Sequence, residues 1–164
     1  MTEIKDSIEL PDVQNTKSNH QIYLPEVGIE GLVLPIKIKE KPIEDYTQTD
    51  QRTVATISVY ADLKPTLKGI SMSRLLEVVH AYSEKSLTMT DLQEITEEVR
   101  KRSESNRSRV IYTFPFFIKK NAPASGIPGL INHQVSFECI NYKKKFENIF
   151  HVEVLGTSLC PCSK

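Results

Sequence analysis

The run from Thr53 to Leu63 constrains the fold more than any other stretch, because it alternates from end to end. Ala55, Ile57, Val59, Ala61 and Leu63 fall on one side of an extended backbone. A strand with one continuous apolar side has to lie in a sheet, and that side needs a covering layer. The rest of the sequence supplies both. Leu34, Ile36 and Ile38 alternate with Lys37 and Lys39, which predicts a strand over about 31–41 with one wet face. Arg109 to Lys120 carries Ile111, Tyr112, Phe114, Phe116 and Phe117 in a third strand, where Pro115 lacks an amide donor and points to an edge or a bulge. His133, Val135, Phe137 and Cys139 alternate with polar neighbours, as do Phe150, Val152 and Val154 after Lys143-Lys144-Lys145, which predicts a long antiparallel hairpin.

The covering layer lies between the second and third strands. Pro65 and Gly69 break the chain, and Ser71 stands as N-cap before a stripe of Met72, Leu75, Leu76, Val79 and Tyr82, giving a helix over about 72–84. Thr90 and Gln93 have capping-box spacing at the head of a second helix, with Leu92, Ile95 and Val99 on one face. Glu97 with Lys101 and Glu98 with Arg102 make its other face a solvated one. The order of strand, strand, helix, helix and three strands implies an α+β fold: an antiparallel sheet with two antiparallel helices on one face and no parallel crossover. Residues 1–26, with prolines at Leu10-Pro11 and Leu24-Pro25 and no helical period, read as an extended arm draped over a neighbouring surface; residues 27–164 read as the folded unit.

Composition narrows the partners. Twenty-one basic residues balance 21 acidic ones, so no net field recruits nucleic acid or an anionic membrane surface, and an anionic ligand must be caught locally. No apolar run is long enough to span a membrane and residues 1–12 lack a signal-peptide core, which predicts a cytoplasmic protein. Three cysteines in a reducing compartment make no disulfide framework.

Two stretches carry chemistry. In Thr157-Ser158-Leu159-Cys160-Pro161-Cys162-Ser163-Lys164, proline restricts the backbone between two thiols and Lys164 favours the thiolate. The spacing alone leaves a structural pair of thiols and a metal or nucleophile site equally open. In Lys68-Gly69-Ile70-Ser71-Met72-Ser73-Arg74, hydroxyls and a guanidinium gather at a helix N-terminus, which suits a phosphate or carboxylate. Ser71 alone is explained as a cap, whereas Ser73 and Arg74 in the first turn are not required for capping. The histidines, His20, His80, His133 and His151, are scattered with no pair at metal-ligand spacing, and no P-loop, G-x-G-x-x-G or G-x-S-x-G is present.

Leu10-Pro11-Asp12-Val13-Gln14, Lys68 to Arg74 and Ser158 to Lys164, in this order and at these separations, resemble the type IB GTP cyclohydrolase I family. The resemblance implies a tunnelling fold whose copies assemble through sheet edges into homo-oligomeric barrels. It implies hydrolysis of GTP to 7,8-dihydroneopterin triphosphate and formate, the entry to folate-type pterins, with a bound divalent metal: zinc, manganese or ferrous iron. Cys160 matches the family's metal-ligand and catalytic cysteine, and Ser73, Arg74 and Lys164 are the candidate substrate-binding residues. The family often has histidine at the position of Ser71. Its members continue past the cysteine motif through an active-site histidine, a metal-binding glutamate and a second tunnelling-fold unit, so the resemblance covers the first part of such a protein. The other reading is a non-catalytic tunnelling-fold subunit or fragment that binds a purine or pterin.

Overall fold

The computed structural model describes residues 16–19, 21–39, 50–83, 85–156 and 158. Among them the elements run β1 (Leu24–Lys39), β2 (Asp50–Leu63), α1 (Met72–Tyr82), β3 (Ser86–Leu87), α2 (Met89–Arg102), β4 (Arg107–Asn121), β5 (Pro128–Tyr142) and β6 (Lys145–Glu153). They form one sheet in the order β3-β1-β2-β4-β5-β6 with both helices over the same face, which is the α+β layout expected. Every long pair is antiparallel. One short pairing is parallel and was not part of the expected layout: Ser86 and Leu87 run alongside Lys37 and Ile38. The link between the helices passes the open edge of β1, takes up its unpaired backbone groups and buries Leu87.

The alternation of β2 is the centre of the core: Ala55, Ile57, Val59, Ala61 and Leu63 are all buried against the helices. Leu75, Val78 and Val79 of α1 and Leu92, Ile95 and Val99 of α2 meet them, with Val110, Tyr112 and Phe114 of β4 and Val135 and Cys139 of β5 alongside. β1 begins at Leu24, well before the expected start near residue 31, so Leu24 to Glu26 of the proposed arm belong to the sheet. Two register shifts, between Leu24 and Val27 and between Ile29 and Leu32, interrupt the period-two pattern that reveals a strand in sequence. Gly31 sits in the second shift at φ 74, a left-handed conformation that glycine adopts without a Cβ penalty. Gly28 has a different reason to be glycine: a Cβ there would lie 1.8 Å from the Val59 carbonyl oxygen.

α2 starts at Met89, and its capping box is Thr88 with Asp91, not Thr90 with Gln93. The Thr88 hydroxyl accepts from the Asp91 amide at 3.2 Å while the Asp91 carboxylate accepts from the Thr88 amide at 2.9 Å. Both pairs have acceptable spacing; Thr88 wins because Ser86-Leu87 is held to β1, which fixes where the helix begins. The solvated face is also less uniform than charge spacing suggested. Glu98 pairs with Arg102 at 2.8 Å as expected, and Lys101 approaches Glu97 at 3.9 Å. Glu97 is partly buried, however, accepting two bonds of 2.8 Å from Arg100 and one of 2.6 Å from the buried Asn141 of β5. These partners, led by the Arg100 hydrogen bonds, hold the Glu97 carboxyl down at about 2.

Pro115 does not mark an edge strand, since β4 lies inside the sheet. It stands where the β2–β4 ladder opens: backbone pairing ends at Thr56 opposite Thr113. Beyond that, Thr53 Oγ1 donates to the Pro115 carbonyl at 2.9 Å, and the Gln51 side chain exchanges two bonds of 2.8 and 2.9 Å with the Phe117 backbone. A missing amide is tolerated there because side chains have replaced the ladder. The predicted β5–β6 hairpin forms, turning at Lys143 and Lys144 with φ of 48 and 71.

Candidate functional site

The loop from Lys64 to Ser71 leaves β2 and delivers the chain to α1. Leu67 packs on the core and Ile70 is buried, so the loop is pinned on its inner side. Its outer side is tied by the arm: Ser18 N donates to the Thr66 carbonyl at 3.0 Å and Lys68 N to the Thr16 carbonyl at 3.1 Å, a short antiparallel bridge between Lys17 and Leu67. The described end of the arm therefore lies against the segment that opens the second chemical motif.

At the start of α1, Ser71 occupies the N-cap with φ −70 and ψ 108, but its hydroxyl makes no capping bond. It lies 3.0 Å from the Ser73 hydroxyl instead. The plain capping role expected of Ser71 is thus corrected: the two hydroxyls hold each other, and no acidic side chain stands in the first turn. α2 differs, with both its capping groups engaged. Ser73 and Arg74 are exposed in the first turn. Hydroxyls, a guanidinium and helix amides thus stand together on one exposed turn, groups of the kind that favour anionic oxygens. Cys160, Cys162 and Lys164 lie outside the described residues, so the structure locates Ser73 and Arg74 without bringing them to the terminal motif.

Cys139 is the thiol that lies within the described residues. It is buried in β5, and burial pushes its thiol upward, which disfavours the thiolate a nucleophile or ligand requires. No group of three or more histidine, cysteine, aspartate or glutamate side chains among the described residues is arranged to hold a metal ion. His133 Nδ1 is 3.3 Å from the Glu153 carbonyl, and His151 Nε2 is 3.5 Å from Glu138.

A charged network on the sheet face away from the helices was not anticipated. Arg109 Nε donates to the nearly buried Glu138 at 2.7 Å, and Arg107 and Arg109 both reach Glu26, at 2.7 and 3.4 Å. Arg109 also lies 5.7 Å over the Tyr60 ring, and Tyr60 donates to Glu30. Burial and then the Glu30 bond push the Tyr60 phenol upward. The sequence signal was present in the alternation, which puts Arg107 and Arg109 opposite to Val110 and Tyr112, but the partners come from four strands and only register brings them together.

The described geometry sets two serine hydroxyls and a guanidinium together at the start of α1. Comparison with known proteins says what kind of protein presents it: residues 10–164 match the model of the type I GTP cyclohydrolase folE2 family. The chain belongs to that family. It is 36% identical over 156 residues to the GTP cyclohydrolase FolE2 of Azoarcus sp. (strain BH72), covering 94% of this chain and 56% of that protein. It is 33% identical over 157 residues to the FolE2 of Magnetococcus marinus, covering 96% and 57%, and 36% identical over 155 residues to that of Methylobacillus flagellatus, covering 94% and 56%. The chain thus spans a little over half the length of these curated relatives. No helix among the described residues is long and apolar enough to cross a membrane.

Proposed function

We propose that this chain is part of a type IB GTP cyclohydrolase I, converting GTP and water to 7,8-dihydroneopterin triphosphate and formate at the head of folate-type pterin synthesis. The observation that carries the reading is the family match over residues 10–164, which takes in all three motifs in their order. Ser73 and Arg74, exposed on the first turn of α1, bind the triphosphate, where amides, hydroxyls and a guanidinium all favour anionic oxygens. Lys164 adds a second cation. Cys160 serves as thiolate ligand and catalytic residue for a divalent ion, zinc, manganese or ferrous iron. Among the described residues no three histidine, cysteine, aspartate or glutamate side chains are grouped to hold such an ion, and Cys160 lies outside them.

The α+β sheet with both helices on one face is consistent with a tunnelling-fold unit, and we assign that fold to it. Copies join through sheet edges. The test uses the full-length protein with GTP and each metal in turn, following formate and the fluorescent pterin formed after oxidation and dephosphorylation. Both products are expected, Cys160→Ala should lose them together with bound metal, and Cys162→Ala should keep part of both. Pterin formation by Cys160→Ala at the wild-type rate would overturn the assignment.

A further inference from the structure

Two short segments far apart in sequence meet at one place that the motifs alone do not connect. Thr16 to Ser18 pair with Thr66 to Lys68, immediately before the turn that starts α1. The loop is held on three sides: Leu67 N donates to the Lys64 carbonyl at 3.1 Å, Leu67 and Ile70 sit on the core, and the arm takes the Thr66 carbonyl and the Lys68 amide. Lys68 is exposed, and six residues later Arg74 is exposed as well, so both cations hang from a segment whose backbone the arm restrains.

We propose that Thr16 to Ser18 form a strap that positions the start of α1 for the triphosphate of the substrate. Thr16 and Ser18 are positioning residues: they act through backbone hydrogen bonds on Thr66 and Lys68 and do not touch the ligand. The inference rests on the reading of this chain as a GTP-binding enzyme and deepens it. A loop held in its binding conformation binds without first giving up its freedom, so a strap raises affinity more than it speeds the chemical step. The Lys17 bridge uses one donor and one acceptor on each side, so a single amide can be removed to open half of it.

The experiment uses the full-length protein. Ser18→Pro removes the amide that donates to Thr66, while Ser18→Ala keeps it. Hydrogen exchange at the Lys68 amide reports whether the strap is closed, independently of any ligand. Ser18→Pro should speed that exchange and raise KM for GTP about tenfold, the size expected from one or two backbone hydrogen bonds, with kcat within about twofold. Ser18→Ala should exchange at Lys68 like the wild type. Lys17→Gly, which loosens the strap without removing a donor, should shift KM the same way by less, and it decides the matter if Ser18→Pro does not fold. Faster exchange at Lys68 with unchanged KM would overturn the strap and leave the enzyme assignment standing. A slow-exchanging Lys68 in a wild type that binds no GTP would overturn the assignment, and the strap's role with it.

Discussion

Arg74 and Glu97 show how far a charged residue's role depends on its surroundings. Both stand on helices, Arg74 in a motif at a helix N-terminus and Glu97 in an i,i+4 charge pattern. Arg74 occupies the third position of α1, where a cation opposes the helix dipole, and it is one of the two residues proposed to bind the triphosphate. Arg74→Ala should raise KM for GTP about ten- to hundredfold, the range for losing charge-assisted bonds to phosphate, and leave kcat nearly unchanged. Unchanged KM in steady-state assays would remove Arg74 from the site. Glu97 looked like a solvent ion pair and is a buried-edge anchor instead, bound by Arg100 and Asn141. Its carboxyl is lowered from 4.5 to about 2, so its stabilising contribution is present above 4.5 and is lost as pH falls toward 2. Glu97→Gln should therefore be less stable than the wild type in urea at neutral pH. That gap should shrink on acidification through the same window; a gap independent of pH would refute the coupling.

The elements were legible where their period was clean and obscure where another element set the boundary. β2, β5 and both helical faces follow their apolar periodicity. β1 lost its first turns of pattern to two register shifts, and β3 is too short to have a pattern. The start of α2 was displaced by two residues because either capping pair satisfies local chemistry, and the docking of Ser86-Leu87 on β1 selects one. Thr88→Ala should cost about 1 kcal/mol, read as a lower urea midpoint at constant m, whereas Thr90→Ala should cost little. Equal losses from both would restore the sequence-based placement of the cap.

At the scale of the whole molecule, among the described residues β6 is the last strand of the sheet, and its own Phe146, Phe150 and Val152 are exposed. Unpaired backbone groups beside apolar side chains are a surface for pairing with another strand. The protein should therefore be an oligomer at micromolar concentration by light scattering, and a monomer there would count against assembly through sheet edges. Ser73 and Arg74 lie on the start of α1, while Cys160 and Lys164 lie outside the described residues.

Alternation and helical stripes were enough to establish an α+β chain with a one-sided sheet, since burial of an apolar face is a demand each element carries alone. Three short motifs were enough to indicate the family, because residue type at fixed separation survives without knowledge of contacts. The strap on Thr66 and Lys68, the Asn141 anchor of Glu97, the replacement of the β2–β4 ladder by Gln51 and Thr53, and the Arg109–Glu138 network were not legible. Each joins residues distant along the chain through hydrogen bonds that depend on strand register and helix docking. Those partners exist only once the apolar faces have packed.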